Sequence, residues 1–385
     1  MTIKLLIYII TIILPFLPLK TTFLFSSSNV RKRVELRKIY WILAGGVLAF
    51  ISVSTEMYTD IDIYTNVFDW TNAGKTNYDT LGWSLLCRLF YWLGLNYRGM
   101  IPIIIIMSVF IISRACRRID VDEDKVISLM LIFPGLLNII QLKFFLAYSI
   151  IIYAVTFLQR SGKKNVLKYL VGILLATLIH SASIFCLVYL LVILFERVNI
   201  QKSVFYTIIG VILVFMSLKL IPSLASRFLR EQVIVRYFTG AVEVSTFSWI
   251  VEITLAWLLM IGITWLLIRS GKISVISQSN GENYGQHNTG ILFISRSFTI
   301  VCLNGLILPL LLYDQNFHRF IEIEYMIGYE LLIFCFRQKL INKKTNRYII
   351  VCILITSIIY CISYFVPFDK VMPMFLLDGI VKIFR

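Results

Sequence analysis

The sequence predicts an all-α protein, a polytopic membrane bundle of about 12 transmembrane helices with amphipathic helices on its outer side. Two observations carry this prediction. Apolar runs separated by short basic loops recur from residue 3 to residue 366. A mean hydropathy of +0.84, with 59% hydrophobic residues, is too apolar for a water-soluble chain of 385 residues. We therefore expect one membrane domain over residues 1–385, because the apolar runs leave no room for a separate globular module.

The net charge of +16 comes from lysines and arginines that cluster in short loops between the apolar runs. That distribution is typical of cytoplasmic loops and does not indicate nucleic-acid binding. Seven cysteines lie mostly in apolar runs without a C-x-x-C pair, which predicts core packing rather than a disulfide framework or a zinc site. Glycine-rich phosphate loops, H-E-x-x-H and dinucleotide motifs are absent, so we expect no cofactor.

Four basic clusters orient the chain, because positive residues in short loops mark the cytoplasmic side. The clusters are Arg31–Lys38, Arg114–Arg118, Arg160–Lys168 and Arg337–Arg347. No small-residue cleavage site precedes the first cluster, so a retained helix over about 4–25 is predicted rather than a cleaved signal peptide. Helix 2 follows at about 39–55 and runs outward, and helix 3 returns at about 99–113.

Residues 56–98, between helices 2 and 3, are predicted to form a large outer loop. The part over 56–79 carries one lysine and five acidic residues, as expected of a translocated segment. The segment 81–95 contains Arg88 and predicts an amphipathic helix at the outer interface rather than a span.

The later apolar runs continue the same pattern. Besides the run discussed next, the remaining predicted spans cover about 126–142, 143–158, 203–222, 247–268, 290–312, 320–336 and 348–366. The first two form a hairpin whose outer turn holds Gln141 and Lys143. A second large outer loop is predicted over 223–246, and a cytoplasmic loop rich in Gly, Ser and Asn over 269–289.

The run Val166–Phe195 is too long for one span and short for two. Two spans are predicted, because the later basic clusters fall on the cytoplasmic side only if the chain goes out and back here. The bend is then expected at His180–Ser183.

Ionisable residues inside the predicted spans are candidates for function, because a charge at the centre of a span costs about 2.5–3.5 kcal/mol on insertion scales. The candidates are Glu252, Arg296, Glu322, Glu324 and Glu330. Arg296 would either form a structural ion pair with a carboxylate of the predicted span 320–336 or bind substrate, and both interpretations remain open. Glu330 is the member expected to be purely structural.

Three arginines, Arg227, Arg230 and Arg236, lie on the predicted outer loop 223–246, where the insertion rule disfavours them. A guanidinium group binds phosphate oxygens in a bidentate manner, so these side chains suit a lipid diphosphate at the headgroup level. Arg319, beside His318 at the outer end of the predicted span 320–336, would join them. The alternative is simple binding to anionic headgroups.

Two further polar elements are candidates for acid–base chemistry. Asp60 and Asp62 form a D-x-D on the first outer loop, and on an extended segment both would point the same way. Such a pair suits a metal or a general base near a sugar hydroxyl, but without a third ligand nearby we expect no metal. His180, followed by Ser181 and Ser183, closes an apolar run and is either a satisfied core residue or a site residue.

Four segments share a pattern with one family. Asp60-Ile-Asp-Ile-Tyr64 matches a D-x-x-x-Y element, and Asp79–Trp83 keeps the glycine and an aromatic residue of an E-P-G-Y-like element. Gln141–Ala147 stands in place of an R-Q-x-x-A element, with Lys143 as the remaining cation. A basic loop and apolar run end at His180–Ser183 as an H-x-S-A-like element. With these motifs, residues 1–330 resemble the EpsG-type, Wzy-like polymerases of bacterial exopolysaccharide and capsule assembly.

The resemblance implies a multi-pass protein of the bacterial cytoplasmic membrane, a glycosyltransferase whose outer face joins polyprenyl-diphosphate-linked oligosaccharide repeat units. It implies no cofactor, because the lipid diphosphate is itself the leaving group. His180 and Asp60 would orient or deprotonate the acceptor hydroxyl. Substrate-binding roles would fall to Arg227, Arg230, Arg236, Arg319, Lys143, Asp62, Tyr64 and Arg296. A flippase and a chain-length regulator of the same pathway are the implied partners, together with the lipid bilayer.

Three other functions remain open on the sequence. A membrane glycosyltransferase that uses a polyprenyl-monophosphate sugar would add a single residue instead of a ladder of lengths. A transporter or flippase would be expected to show inverted repeats with broken helices, and no convincing internal repeat is present. A membrane acyltransferase acting through His180 would need a second catalytic partner at a diagnostic spacing, which the sequence does not offer.

Overall fold

The computed structural model describes most of the chain up to residue 338. The described residues are 3–17, 29–54, 59–74, 80–160, 162–197, 200–220, 223, 226, 247–270, 284–313 and 315–338. Within these ranges every regular element is a helix and none is a strand, which confirms the all-α prediction for this part of the chain.

The chain divides into two compact units that alternate along the sequence. Unit 1 holds the described residues up to Tyr153 together with Leu175–His180. Unit 2 holds Ala154–Leu174 and the described residues from Ser181 onward.

Helices α1 to α7 belong to unit 1, α8 begins in unit 1 and ends in unit 2, and α9 begins in unit 2 and ends in unit 1. Their bounds are α1 Ile3–Ile13, α2 Asn29–Val53, α3 Thr59–Asn72, α4 Leu81–Trp92, α5 Tyr97–Arg118, α6 Glu123–Ile132, α7 Gly135–Ile140, α8 Leu142–Leu158 and α9 Lys163–Ile179. A 3₁₀ turn over Leu14–Phe16 extends α1.

Unit 2 continues with a long 3₁₀ helix and four α-helices. The 3₁₀ helix covers Ser181–Arg197, and the α-helices are α10 Ile200–Met216, α11 Phe247–Ser270, α12 Tyr284–Leu303 and α13 Arg319–Arg337. Shorter 3₁₀ segments lie at Leu218–Leu220, Asn304–Leu312 and Gln315–His318. The predicted spans at 247–268 and 320–336 therefore coincide with α11 and α13 to within a few residues.

The structure confirms the predicted bend near His180. Helix α9 ends at Ile179, and the next helix begins at Ser181. In unit 2 the hydroxyl of Tyr169 donates to the carbonyl of Cys186, so the two arms of the run lie side by side. The stretch is therefore two helices, as the parity of the basic loops predicts.

The described helices include two that are long and apolar enough to cross a membrane, Tyr97–Arg118 and Leu292–Leu312. Six shorter apolar helices of 10–17 residues accompany them. Helix α10 exposes large apolar side chains, among them Phe205 and Met216 at 60% and 77%. Water penalises contiguous surface of this kind, whereas lipid does not. The count of 12 spans stays a prediction, and the predicted span at 348–366 lies outside the described residues.

Helix α4 is shorter than a membrane span, which favours the predicted interfacial helix over 81–95. Its 12 residues reach about 18 Å, short of the roughly 30 Å of a hydrocarbon core. One side buries Trp83 and Cys87, while Leu85 and Leu89 on the other side are exposed. The helix is thus two-sided, as the amphipathic prediction requires.

Two sequence predictions for unit 1 are wrong. Residues 126–142 are not one helix, because α6 ends at Ile132 and a separate short helix, α7, follows. The physical reason is Pro134, since a residue that precedes proline is driven out of the α region, and Phe133 is extended.

Asp60 and Asp62 do not lie on an extended segment but on α3. Positions two apart on a helix do not share a face, so the paired arrangement expected of an extended D-x-D is absent from this backbone.

Hydrogen bonds to backbone carbonyls tie α1 into unit 1. The hydroxyl of Tyr8 donates to Leu131 in α6, and that of Tyr40 in α2 donates to Thr11 at 2.7 Å. Ser128 donates to the carbonyl of Ile12. Because lipid tails are as apolar as leucine, such interhelical hydrogen bonds and close packing hold membrane helices together.

A charge-assisted cluster closes the turn between α5 and α6. Arg117 forms a bidentate pair with Glu123, with nitrogen–oxygen distances of 2.6 and 2.8 Å, and Ser113 donates to the same carboxylate. Glu123 is buried, so this two-point geometry compensates for the loss of its hydration. The cluster fixes the angle at which α6 leaves α5.

A buried polar network holds three elements of unit 2 together. Tyr189 donates to the amide oxygen of Asn304 at 2.8 Å. The amide nitrogen of Asn304 donates to Glu324 and to the carbonyl of Phe320, both at 3.1 Å. Asn304, Tyr189 and Glu324 are each at most 1% exposed. The network thus joins the Ser181–Arg197 helix, the 3₁₀ segment Asn304–Leu312 and α13.

A second network in unit 2 involves Arg296. Its guanidinium group donates to the carbonyl of Leu158 at 2.7 Å, and the neighbouring Gln159 donates to Ser297 at 3.1 Å and to Glu330 at 3.4 Å. These contacts connect the end of α8 with α12 and α13. An ion pair between Arg296 and a carboxylate of α13 stays a prediction, while Glu330 has the structural contact expected of it.

Replacing Asn304 with leucine should lower the free energy of unfolding by about 2–4 kcal/mol. The change leaves the hydroxyl of Tyr189 and the carboxyl of Glu324 without their partner, and each buried group left unsatisfied costs about 1–3 kcal/mol. Thermal unfolding of the purified protein in detergent measures the effect. Leucine at Asn138, equally buried but without a hydrogen bond to its side chain within the described residues, is the matched control and should cost no stability. Equal melting of Asn304→Leu and the unchanged protein would contradict a stabilising role for the network.

Candidate functional site

Segments that carried the family resemblance meet in unit 1 at the end of α9. Thr80 stands at the N-cap position of α4 in an extended conformation. Its hydroxyl makes no capping bond to α4 and instead donates to the carbonyl of Ile179, the last residue of α9. The last carbonyls of a helix lack partners within the helix, so Thr80 satisfies one of them. The E-P-G-Y-like segment is thereby attached to the residue before His180.

Gly82 permits this contact. A Cβ atom at position 82 would lie 2.8 Å from the carbonyl oxygen of Leu178 and 3.0 Å from its carbonyl carbon. Those atoms belong to the backbone of α9 and cannot rotate away. The glycine of the motif is therefore explained by close helix–helix approach rather than by an unusual backbone conformation.

The third segment reaches His180 through Phe144. The Phe144 ring lies edge-on to the imidazole of His180, with ring centroids 5.3 Å apart and planes at 73°. Phe144 is buried, and His180 is 8% exposed. Phe144 follows Lys143 in the first turn of α8, so the R-Q-x-x-A-like segment packs directly on the H-x-S-A-like one.

The position of His180 suits proton transfer. Its backbone N–H donates to Ala176 at 2.7 Å, which makes it the residue that ends α9. A helix C-terminus carries partial negative charge and stabilises a cationic imidazolium nearby. An imidazole held there by an aromatic edge can accept a proton from a hydroxyl and is stabilised while it carries that proton.

Tyr64 lies on an aromatic cluster of unit 1. Its ring stacks on Tyr97 with centroids 6.2 Å apart, and Phe68, one turn later on α3, contacts Tyr97 and Tyr91. Tyr64 is half-buried. Because α3 is helical, positions 60 and 64 share a face, and the D-x-x-x-Y spacing is that of one helical turn.

The structure leaves several candidate residues outside this description. Arg227, Arg230 and Arg236 lie outside the described residues, and so do the side chains of Asp60 and Asp62. Among the described side chains, no three His, Cys, Asp or Glu residues come together as a metal site would require.

The two remaining arginines belong to unit 2. Arg319 is the first residue of α13 and is half-buried, and it follows the buried His318. Glu322 lies one turn further along and is fully buried. Arg296 is buried with its guanidinium group on the carbonyl of Leu158.

Sequence reasoning missed the parts played by Thr80, Gly82 and Phe144. Each lies inside a recognised motif, yet its partner is far away along the chain: Thr80 and Ile179 are 99 residues apart. The usable signal was the glycine, because a motif that keeps glycine indicates a close approach or a special backbone conformation.

Comparison with known proteins identifies the family of the chain. A family model described as the EpsG family matches residues 38–376, which is most of the chain and includes all the motif segments. Searches of curated proteins and of solved structures found no match. The EpsG family is a Wzy-like polymerase family associated with polysaccharide biosynthesis, and its proteins are membrane proteins. The chain belongs to the EpsG family.

Proposed function

We propose that this protein polymerises polyprenyl-diphosphate-linked oligosaccharide repeat units at the outer face of the bacterial cytoplasmic membrane, for exopolysaccharide or capsule. The observation that carries the proposal is the meeting of three motif segments of an EpsG-family chain at the end of α9, where His180 lies. A motif that served only to fold its own helix would not need these long-range contacts.

The reaction balances without ATP or a cofactor. An acceptor sugar hydroxyl attacks the anomeric carbon of the donor chain, forming a glycosidic C–O bond as the C–O bond to the diphosphate breaks. The hydroxyl proton passes to a base, and polyprenyl diphosphate leaves with the bonding electrons. The protein has to bind two saccharides, accept one proton and stabilise the charge of the departing diphosphate.

His180 is the proposed base, with Asp60 as the second candidate. A correctly placed general base is worth about 10²- to 10⁴-fold in rate. The imidazole of His180 is held by the Phe144 ring and by the end of α9, so it is oriented before substrate binds. Asp60 shares a helix face with Tyr64, which would offer an aromatic surface to a sugar ring.

The cationic residues would bind the substrate's phosphates. Each well-placed donor contributes a few kcal/mol, about 3, to stabilising charge that develops in the transition state. This role is proposed for the arginines of the predicted loop 223–246, together with Arg319, Lys143 and Arg296, and Asp62 is proposed to contact the saccharide. A flippase that supplies the substrate and a chain-length regulator are the proposed partners.

Reconstitution of the purified protein with lipid-linked oligosaccharide, without nucleotide sugar, tests the proposal. A ladder of polymer lengths is expected, because the polymerase joins whole repeat units. Addition of one sugar from a polyprenyl-monophosphate donor would favour the single-sugar transferase instead, and translocation without a new bond would favour a flippase.

Arg236→Ala should shorten or abolish the ladder if this arginine binds the diphosphate. A cysteine placed at 236 in an otherwise functional protein should react with a membrane-impermeant thiol reagent added to intact cells. Reaction only after the cells are opened would contradict an outer diphosphate site on this loop. Lys163→Ala, in the basic cluster predicted to be cytoplasmic, is the matched control and should leave the ladder unchanged.

A further inference from the structure

Asn138, on α7, carries a side-chain amide that the fold does not use. The residue is 0% exposed, and within the described part of the chain neither its amide oxygen nor its amide nitrogen has a hydrogen-bond partner. Buried polar side chains are almost always hydrogen-bonded, and leaving one unpaired is costly. An amide retained under these conditions indicates a partner that is not part of the fold.

Other asparagines of the described helices show the usual behaviour. Asn304 is equally buried and has both amide atoms bonded. Asn96 caps α5 by accepting from Gly99 at 2.9 Å, and the amide nitrogen of Asn72 donates to Phe68 at 2.8 Å. Each therefore has a structural use, which Asn138 lacks.

Ser52 is a second buried polar side chain of this kind in unit 1. It is 1% exposed, and its hydroxyl has no hydrogen-bond partner within the described residues. Buried serines usually donate to a carbonyl of their own helix, as Ser108 does to Ile104 and Ser149 to Leu146, both at 2.8 Å. Ser52 lies on α2, and α2 packs against α7. Two packed helices thus each carry an unused polar group.

The position of α7 connects Asn138 with the candidate site. The backbone N–H of Gln141 donates to Leu137, and the carbonyl of Gln141 accepts from Phe145, so the chain passes almost directly from α7 into α8. Six residues separate Asn138 from Phe144, which is about 9 Å at the rise of a helix. The Phe144 ring contacts His180. Asn138 thus lies just before the segment whose Phe144 ring contacts His180.

The amide also limits the chemistry of its ligand. A carboxamide offers two donors and an acceptor, so it needs a partner that can both accept and donate. Phosphate oxygens of a fully ionised diphosphate only accept, and a metal ion would occupy only the oxygen. Sugar hydroxyls and acetamido groups do both.

We propose that the Asn138 amide hydrogen-bonds a hydroxyl or acetamido group of the acceptor saccharide, which makes Asn138 a substrate-binding residue of unit 1. The inference rests on the proposed function and extends it by one contact. Ser52, on the helix that packs against α7, supplies a hydroxyl to the same saccharide.

Asn138→Leu separates this role from a structural one, because leucine has nearly the same shape and no polar atom. Without substrate, the variant should melt at the same temperature as the unchanged protein or higher, since replacing an unpaired buried amide by an apolar group is neutral or stabilising. With lipid-linked repeat unit, its apparent KM should rise about 3- to 10-fold, the loss of roughly one hydrogen bond. The free repeat-unit oligosaccharide, released from its lipid by mild acid, should raise the melting temperature of the unchanged protein and not that of the variant.

The outcomes decide between the inference and its alternatives. If Asn138→Leu leaves both the KM and the oligosaccharide-induced shift in melting temperature unchanged, the amide has no ligand. If the variant melts at a lower temperature without substrate, the amide stabilises the fold. Either result overturns the inference. Asn138→Ser, smaller and still polar, is measured alongside and should show a weaker oligosaccharide shift. If the unchanged protein forms no ladder, the proposed function is wrong, and the oligosaccharide shift alone then decides for or against Asn138.

Discussion

His180→Ala is expected to slow polymer formation by about 10²- to 10⁴-fold, the usual contribution of a general base. The imidazole lies at the end of α9, against the Phe144 ring, where three motif segments meet. Its loss removes the proton acceptor and the contact with the Phe144 ring. The initial rate of ladder formation, per mole of folded protein, measures the effect in the reconstituted system.

Two further measurements separate catalysis from packing. Added imidazole should restore part of the rate of His180→Ala, because a small base can enter the space that the side chain leaves. Phe144→Leu, which removes the aromatic edge but keeps the imidazole, is the matched control and should lower the rate less than His180→Ala does. Full activity of His180→Ala would exclude His180 as the base, and a melting temperature too low for folding would assign it a structural role.

The sequence predicted those parts of the fold that depend on helix length and hydropathy. Helices α11 and α13 lie where continuous apolar runs lie, because one helix must cover each run. The break at His180 was predicted because the run Val166–Phe195 is too long for one span, and because the basic loops demand an even number of crossings there. These are global constraints, and no local motif was needed to apply them.

Local geometry in the outer segments was harder to predict. Asp60 and Asp62 were interpreted on an extended backbone, whereas the chain forms α3 there. The signal was present in the sequence, because Asp60 and Tyr64 are four residues apart, the spacing that places two positions on one helix face. The break at Phe133 also had a local cause, Pro134, which the long apolar run concealed.

The candidate site itself depends on contacts that a single sequence does not contain. Neither the bond from Thr80 to Ile179 nor the approach of Gly82 to Leu178 has a sequence pattern, since each joins segments about 100 residues apart. The same holds for Asn138. The sequence shows a polar residue in an apolar run, but only the structure shows that its amide has no hydrogen-bond partner among the described residues. The motifs therefore identified the candidate segments in the sequence, and the structure showed which of these segments contact one another.

Gly82→Ala should lower polymer formation by about 10²-fold, the effect expected when a reacting group is displaced by about 1 Å. The new methyl group would lie 2.8 Å from the carbonyl oxygen of Leu178, so α4 and the end of α9 must move apart, which weakens the bond from Thr80 and shifts His180. Overpacking of this kind costs about 1–3 kcal/mol, and a lower melting temperature should accompany the loss of activity. Gly46→Ala on α2 is the matched control, because no atom of the described residues lies within 4 Å of its added Cβ atom. That variant should be fully active and slightly more stable, since alanine favours a helix over glycine by about 1 kcal/mol. Equal ladders from Gly82→Ala and Gly46→Ala would show that the approach of α4 to α9 does not position His180.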